Sequence, residues 1–130
     1  MGERAFMPEV GDFQLDVETV SDGAVVVAVH GEADLHTAPE LRDRLTAIID
    51  GGVRRVLVDL TDTTFIDSMA LGVLLGSTKR LRANDGRLEL IVATPDIRRI
   101  FEITMLDRIL AIHPTREIAL ELATNDGETV

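Results

Sequence analysis

From Phe13 to Glu18 apolar and polar residues alternate, with Phe13, Leu15 and Val17 set between Gln14, Asp16 and Glu18. That period of two predicts a strand with one wet face, at the edge of a sheet. Ser21-Asp22-Gly23 supplies turn chemistry, and Ala24 to Val29 follows as an unbroken Val-rich run, which predicts a strand covered on both faces. The two strands form a hairpin. His30 to His36 reads as a polar loop leading into Thr37-Ala38-Pro39-Glu40. This is a capping-box pattern, in which Thr37 caps, Pro39 needs no amide partner and Glu40 reaches back from the third helical position. The helix should run to about Asp50, with Leu41, Leu45, Ile48 and Ile49 on one face, Arg42, Asp43 and Arg44 on the other, and Gly51-Gly52 as its stop.

Val53 to Leu60 reads as another covered strand, so strand, helix and strand make a right-handed parallel crossover. Thr61 to Thr64 is expected as a loop that delivers the chain to Phe65-Ile66-Asp67-Ser68. A helix then runs from Ser68 to about Ala83, closed by the turn residues Asn84-Asp85-Gly86. Arg87 to Ala93 is a strand, Pro95 to about Thr104 a shorter helix with Ile97, Ile100, Phe101 and Ile103 apolar, and Arg108 to Ile112 a last short strand. Pro114-Thr115-Arg116-Glu117 opens a final helix whose Ile118, Leu120, Leu122 and nearby Ala residues can pack inward. The expected fold class is α/β: one domain over residues 13–123, an N-terminal β-hairpin followed by alternating α and β elements. Its mixed sheet has about five strands, with about four helices packed mainly on one side. Residues 1–12 and 124–130 lack apolar periodicity and are expected as flexible tails.

At 130 residues the chain suits one domain with a real core, and with four Phe, no Trp and no Tyr that core must be built from Leu, Ile, Val and Ala. A net charge of −10 opposes phosphate backbones and anionic headgroups, which argues against nucleic acid and membrane as partners. The absence of Cys excludes disulfides, thiolate metal sites and cysteine nucleophiles, and fits a cytoplasmic location. No apolar run approaches the roughly 20 residues of a spanning helix, and the start of the chain carries no signal segment.

The chemistry concentrates where the second helix begins. Asp67 and Ser68 are both good N-cap types, so one caps and the other faces outward. A serine hydroxyl at the positive end of a helix dipole is a natural place for a phosphate. On that helix Leu71, Leu74 or Leu75, Thr78 and Leu81 have the spacing of the sheet-facing stripe, while Met69, Gly72, Val73 and Gly76 fall on a second side that carries no charge for two turns. This side reads either as a buried surface or as a docking face where Gly72 and Gly76 admit a partner's backbone. Glu32, Asp34 and Thr37 lie in the loop after a covered strand, where binding groups often gather. Asp62, Thr63 and Thr64 can line the same surface, and Asp67 is placed either to orient the Ser68 hydroxyl or to meet basic groups of a partner.

Over nearly the whole chain, from about Phe13 to Leu122, the sequence resembles the anti-sigma factor antagonists built on the sulfate-transporter-and-antagonist (STAS) domain. The resemblance rests on Val58-Asp59-Leu60 leading to Phe65-Ile66-Asp67-Ser68, on Leu71-Gly72-Val73-Leu74-Leu75, and on Gly31-Glu32-Ala33-Asp34 running into Thr37-Ala38. It implies that Ser68 is phosphorylated by an anti-sigma factor that is also a serine kinase, that the unphosphorylated form binds that partner, and that a serine phosphatase reverses the modification. It implies no cofactor. Met69 and Ala70 depart from the usual Asp-Ser-Ser/Thr-Gly pattern, and Met69 enlarges the docking face. The same resemblance admits a non-phosphorylated STAS interaction or scaffold subunit of a larger signalling or transport assembly. An enzyme is not expected. Ile66-Asp67-Ser68-Met69-Ala70 is no nucleophile elbow, His30, His36 and His113 are not spaced as metal ligands, and Gly76-Ser77-Thr78-Lys79 has the wrong order for a phosphate loop.

Overall fold

A computed structural model describes residues 13–21 and 23–121, so the expected terminal segments 1–12 and 124–130 lie outside the described residues. The alternating start becomes strand β1 (Gln14–Ser21), antiparallel to β2 (Ala24–Ala33) with Gln14 opposite His30 and Thr19 opposite Val25. Gly23 closes the hairpin at φ 84°, a backbone region open to glycine at little steric cost. Helix α1 (Ala38–Asp50) crosses to β3 (Arg55–Asp59), which lies parallel to β2. Strand β4 (Thr63–Ile66), helix α2 (Ser68–Ala83), strand β5 (Arg87–Ile91) and helix α3 (Pro95–Ile103) follow. After a 3-10 turn at Leu106–Arg108 come strand β6 (Ala111–His113) and helix α4, residues 116–121. The sheet order is β1-β2-β3-β5-β6, with β4 paired to β2 off that path.

Residue parity decides the two faces of the sheet. Val25, Val27, Val56, Val58, Leu88 and Leu90 pack with Leu41, Leu45 and Ile49 of α1, Leu74 and Leu81 of α2, and Ile97 and Phe101 of α3. The alternate residues Val26, Leu57 and Ile91 meet Ala119 and Leu120 of α4 on the other face. Three helices therefore cover one side and α4 the other.

Four expectations need correction. The polar loop expected from His30 is largely strand, because β4 lies parallel to the second half of β2, with Gly31 opposite Thr63, Glu32 opposite Phe65 and Ala33 opposite Ile66. The sheet thus has six strands. The last strand starts at Ala111 instead of Arg108, because the Leu110 amide turns back to the Leu106 carbonyl at 2.8 Å. Ile118 points outward, at 40% exposure, whereas Leu120 and Ala119, one of the Ala residues expected to pack inward, do face the core, and Leu122 lies outside the described residues. In the second helix Ser77 and Ala70 share the buried stripe with Leu74, Thr78 and Leu81.

Candidate functional site

The end of β4 fixes the start of α2. Ile66 is buried, the Asp67 amide donates to the Ala33 carbonyl at 3.1 Å, and Asp67 takes an extended conformation at the N-cap. One carboxylate oxygen, Oδ1, accepts from the Met69 and Ala70 amides at 3.0 and 3.1 Å. Oδ2 accepts from the Leu35 amide at 2.9 Å. Asp67 is thus the cap, and it also ties the loop after β2 to the helix. Both oxygens are committed to backbone amides, so it does not orient the neighbouring hydroxyl. Ser68 is the first residue of the helix, exposed, and its hydroxyl has no hydrogen-bond partner among the described residues.

Glu32, Asp34 and Thr37 form the second wall. Thr37 stands at the N-cap of α1 but gives that helix no side-chain bond, so the expected capping box with Glu40 does not form. Its hydroxyl instead donates to the Glu32 carbonyl at 2.8 Å and accepts from the Asp34 amide at 2.8 Å. The Asp34 carboxylate in turn accepts from the His36 and Thr37 amides at 2.9 and 3.2 Å. Local bonding of this kind offers the backbone an alternative to the helical cap. Desolvation pushes the Asp34 carboxyl up, but those amide bonds, the Thr37 hydroxyl and the nearby His36 outweigh it and hold it below its ordinary value.

The Thr61–Thr64 segment divides. Thr64 is exposed, whereas Thr63 is buried with its hydroxyl donating to the Val29 carbonyl at 2.8 Å, so Thr63 does not line the surface. Asp62 turns toward His30, whose Nδ1 lies 3.2 Å from it and whose Nε2 lies 3.0 Å from Asp16. These three side chains line a cavity of about 270 Å³ together with Glu18, Asp59 and Arg116. Asp59 is buried there and accepts from Thr61 and Arg116. Arg116 bridges two of the cavity's carboxylates, lying 3.1 Å from Asp59 and 2.9 Å from Glu18.

Around Ser68 the surface is apolar. Met69 is 52% exposed, and it is flanked by two residues that the sequence reading did not single out, Leu35 at 57% and Phe65 at 48%. Phe65 was legible as an apolar residue next to the junction. Leu35 sits in a polar stretch and is placed only by the Asp67 bond. Gly72 and Gly76 lie exposed on α2, and a Cβ built on either would meet nothing within 4 Å. Val73 departs from the expected face, being half-buried against the core. Among the described residues no group of three His, Asp or Glu side chains is arranged to hold a metal ion, and no helix is long and apolar enough to cross a membrane.

The arrangement presents a free hydroxyl at a helix N-terminus, inside an apolar rim with carboxylates behind it. Three comparisons bear on its meaning. The model of the STAS domain matches residues 16–119. An anti-sigma-B factor antagonist of Staphylococcus aureus is 35% identical over 105 residues, covering 80% of this chain and 97% of that protein. Among solved structures, an anti-sigma factor antagonist from Mycobacterium paratuberculosis matches with a TM-score of 0.81 at 28% identity, over 89% of this chain and 97% of its own. The antagonist SpoIIAA in its unphosphorylated form matches with a TM-score of 0.75 at 26% identity, over 86% of this chain and 97% of its own. The Bacillus cell fate determinant SpoIIAA in its phosphorylated form matches with a TM-score of 0.68 at 29% identity, over 85% and 99%.

Proposed function

The chain belongs to the STAS domain family, and from that premise we propose that it is an anti-sigma factor antagonist switched by phosphorylation of Ser68. In this reading the unphosphorylated form binds an anti-sigma factor that is also a serine kinase, phosphorylation of Ser68 releases it, and a serine phosphatase restores binding. The protein acts by binding and catalyses nothing itself, and it works in the cytoplasm. The docking surface consists of Met69, Gly72, Gly76 and the exposed part of Val73, with Thr64, Asp67 and the Glu32–Thr37 wall at its Ser68 end, Leu35 and Phe65 joining them. Asp62 contributes through its place beside the β4 segment.

The observation that carries this reading is the division of labour at the junction. Asp67 satisfies the first-turn amides, so Ser68 is left exposed with a hydroxyl the fold does not use. A phosphate there meets the positive end of the helix dipole, which the domain tolerates without refolding. The added charge of about −1.5 to −2 falls on a chain already at −10, and its effect is felt by whatever is docked. Like-charge contact at an interface costs several kcal/mol, and about 3 kcal/mol is already more than ~100-fold in affinity. Relatives of the same fold are found with and without phosphate, as the two forms of SpoIIAA attest.

Incubation with ATP and an anti-sigma factor kinase, followed by intact mass and site mapping, tests the assignment. One added phosphate on Ser68, absent from Ser68→Ala, is expected. A chain that binds the partner and stays unmodified is instead a non-phosphorylated interaction subunit.

A further inference from the structure

Among the described residues, six of the eight exposed large apolar side chains fall into two groups. Leu35, Phe65 and Met69 surround Ser68, whereas Ile103, Met105 and Ile109 crowd together where α3 gives way to the 3-10 turn, at 72%, 55% and 42% exposure. The two groups lie at opposite ends of α2. Ser68 opens that helix, and Arg82, next to its last residue, donates to the Ile109 carbonyl at 2.8 Å. The rise of the helix over that span sets the second patch about 20 Å from Ser68 along the axis.

The second patch is displayed against the local preference of the backbone. Met105 follows the end of α3 in the left-handed region, at φ 62° and ψ 16°. Asp85, the other non-glycine residue at positive φ among those described, is of a type that adopts this region readily, whereas methionine is not, and glycine would make the same turn with less strain. The Met105 side chain nonetheless stands in solvent. Beside it Pro95, Arg98, Arg99, Glu102 and Ile103 line an open cleft of about 520 Å³. A protrusion and a hollow thus adjoin on one surface.

Charge decides what fits there. From Pro95 to Ile109 the chain carries Arg98, Arg99 and Arg108 against Asp96, Glu102 and Asp107, a balanced stretch in a chain whose net charge is −10. The other exposed large apolar residues stand among carboxylates: Leu35, Phe65 and Met69 near Glu32, Asp34 and Asp67, Val17 between Asp16 and Glu18, and Ile118 beside Glu117. A second copy of the chain meets like charge at those places and not at this one. Arg98 is paired with Glu102 at 3.4 Å, but Arg99, Asp107 and Arg108 are exposed and make no ion pair among the described residues. In a twofold contact the same patch faces itself, so a cation of one copy can meet an anion of the other. We propose that two copies of this chain associate through the patch about a twofold axis, with Ile103 and Met105 of each against the cleft of the other. The contact leaves both Ser68 sites open and does not depend on their being switches.

Sedimentation velocity of the full chain, from micromolar to millimolar concentration, is expected to show a reversible equilibrium between one chain and two. Ile103→Asp and Met105→Gly should each weaken association about tenfold or more. Met105→Gly separates the interface from folding, because it removes the side chain and eases the backbone. Its urea midpoint, taken where both proteins are monomeric, should hold or rise. Arg99→Glu combined with Arg108→Glu gives the patch the sign of the rest of the chain and should weaken association at least as much. Ile118→Asp alters an exposed apolar residue elsewhere, and it should leave association within about twofold. A chain that stays monomeric throughout overturns the proposal, as does a dimer that survives Ile103→Asp and Met105→Gly, or one that Ile118→Asp weakens equally.

Discussion

The Asp67 carboxylate joins two parts of the chain that are distant in sequence. Its Oδ2 accepts the Leu35 amide at 2.9 Å, while its Oδ1 accepts the Met69 and Ala70 amides. One side chain thus sets both the start of α2 and the loop that presents Leu35. Removing it as Asp67→Ala is expected to cost about 1–2 kcal/mol of folding stability, the scale of a lost N-cap. Asp67→Asn keeps one acceptor oxygen and is expected to cost less. Urea unfolding measures both, and a wild-type midpoint for Asp67→Ala would contradict the cap.

Gly72→Ala and Gly76→Ala should each raise stability by about 0.5–1 kcal/mol, because the added methyl group meets nothing in the chain. The same methyl group stands in the path of a docked partner, so affinity should fall as stability rises. Thermal unfolding and titration of the partner, carried out on the same samples, report the two effects. Loss of stability would mean that the space above the helix is already filled.

Phe65 is 48% exposed on a four-residue strand. Phe65→Ala is expected to lower stability by at most about 1 kcal/mol, against about 3–5 for a buried Phe. It should weaken partner binding by more than about 1 kcal/mol, as aromatic anchors at interfaces do. A variant that unfolds early and still binds tightly would show Phe65 to be a core residue and not a contact.

Asp34 gives the Glu32–Thr37 wall a dependence on acid. Desolvation raises its carboxyl, the His36 and Thr37 bonds lower it further, and the net position is below the ordinary value of 3.8. A carboxyl held lower in the folded chain than in the unfolded one contributes stability that is complete above 3.8 and is lost as pH falls through the folded value. Comparing wild type with Asp34→Asn in urea at about pH 6 and about pH 3 should therefore show a difference that shrinks in acid. A difference that grows in acid would reverse the sign.

The sequence was most legible where the determinants are local. The bounds of α2 follow from an N-cap residue at Asp67 and a turn after Ala83, and the hairpin follows from alternation and a glycine turn. Strand β4 was missed because Thr63-Thr64-Phe65-Ile66 is too short for periodicity to speak, and it becomes a strand only by lying beside Gly31–Ala33. The same pairing turned an expected loop into the end of β2. Thr37 was misread for a related reason. Its composition matches a capping box, but its hydroxyl is taken by Glu32 and Asp34, a choice that depends on how the strand before it ends. At the site, Ser68 and the glycines were visible in the sequence, whereas Leu35 needed the Asp67 bond to reveal it.

Titrating the anti-sigma factor kinase with the chain, either unmodified or fully phosphorylated on Ser68, is the most direct measurement of the switch. The account predicts that phosphorylation weakens binding by more than ~100-fold while the folded domain keeps its secondary structure. Equal affinity of the two forms would contradict it.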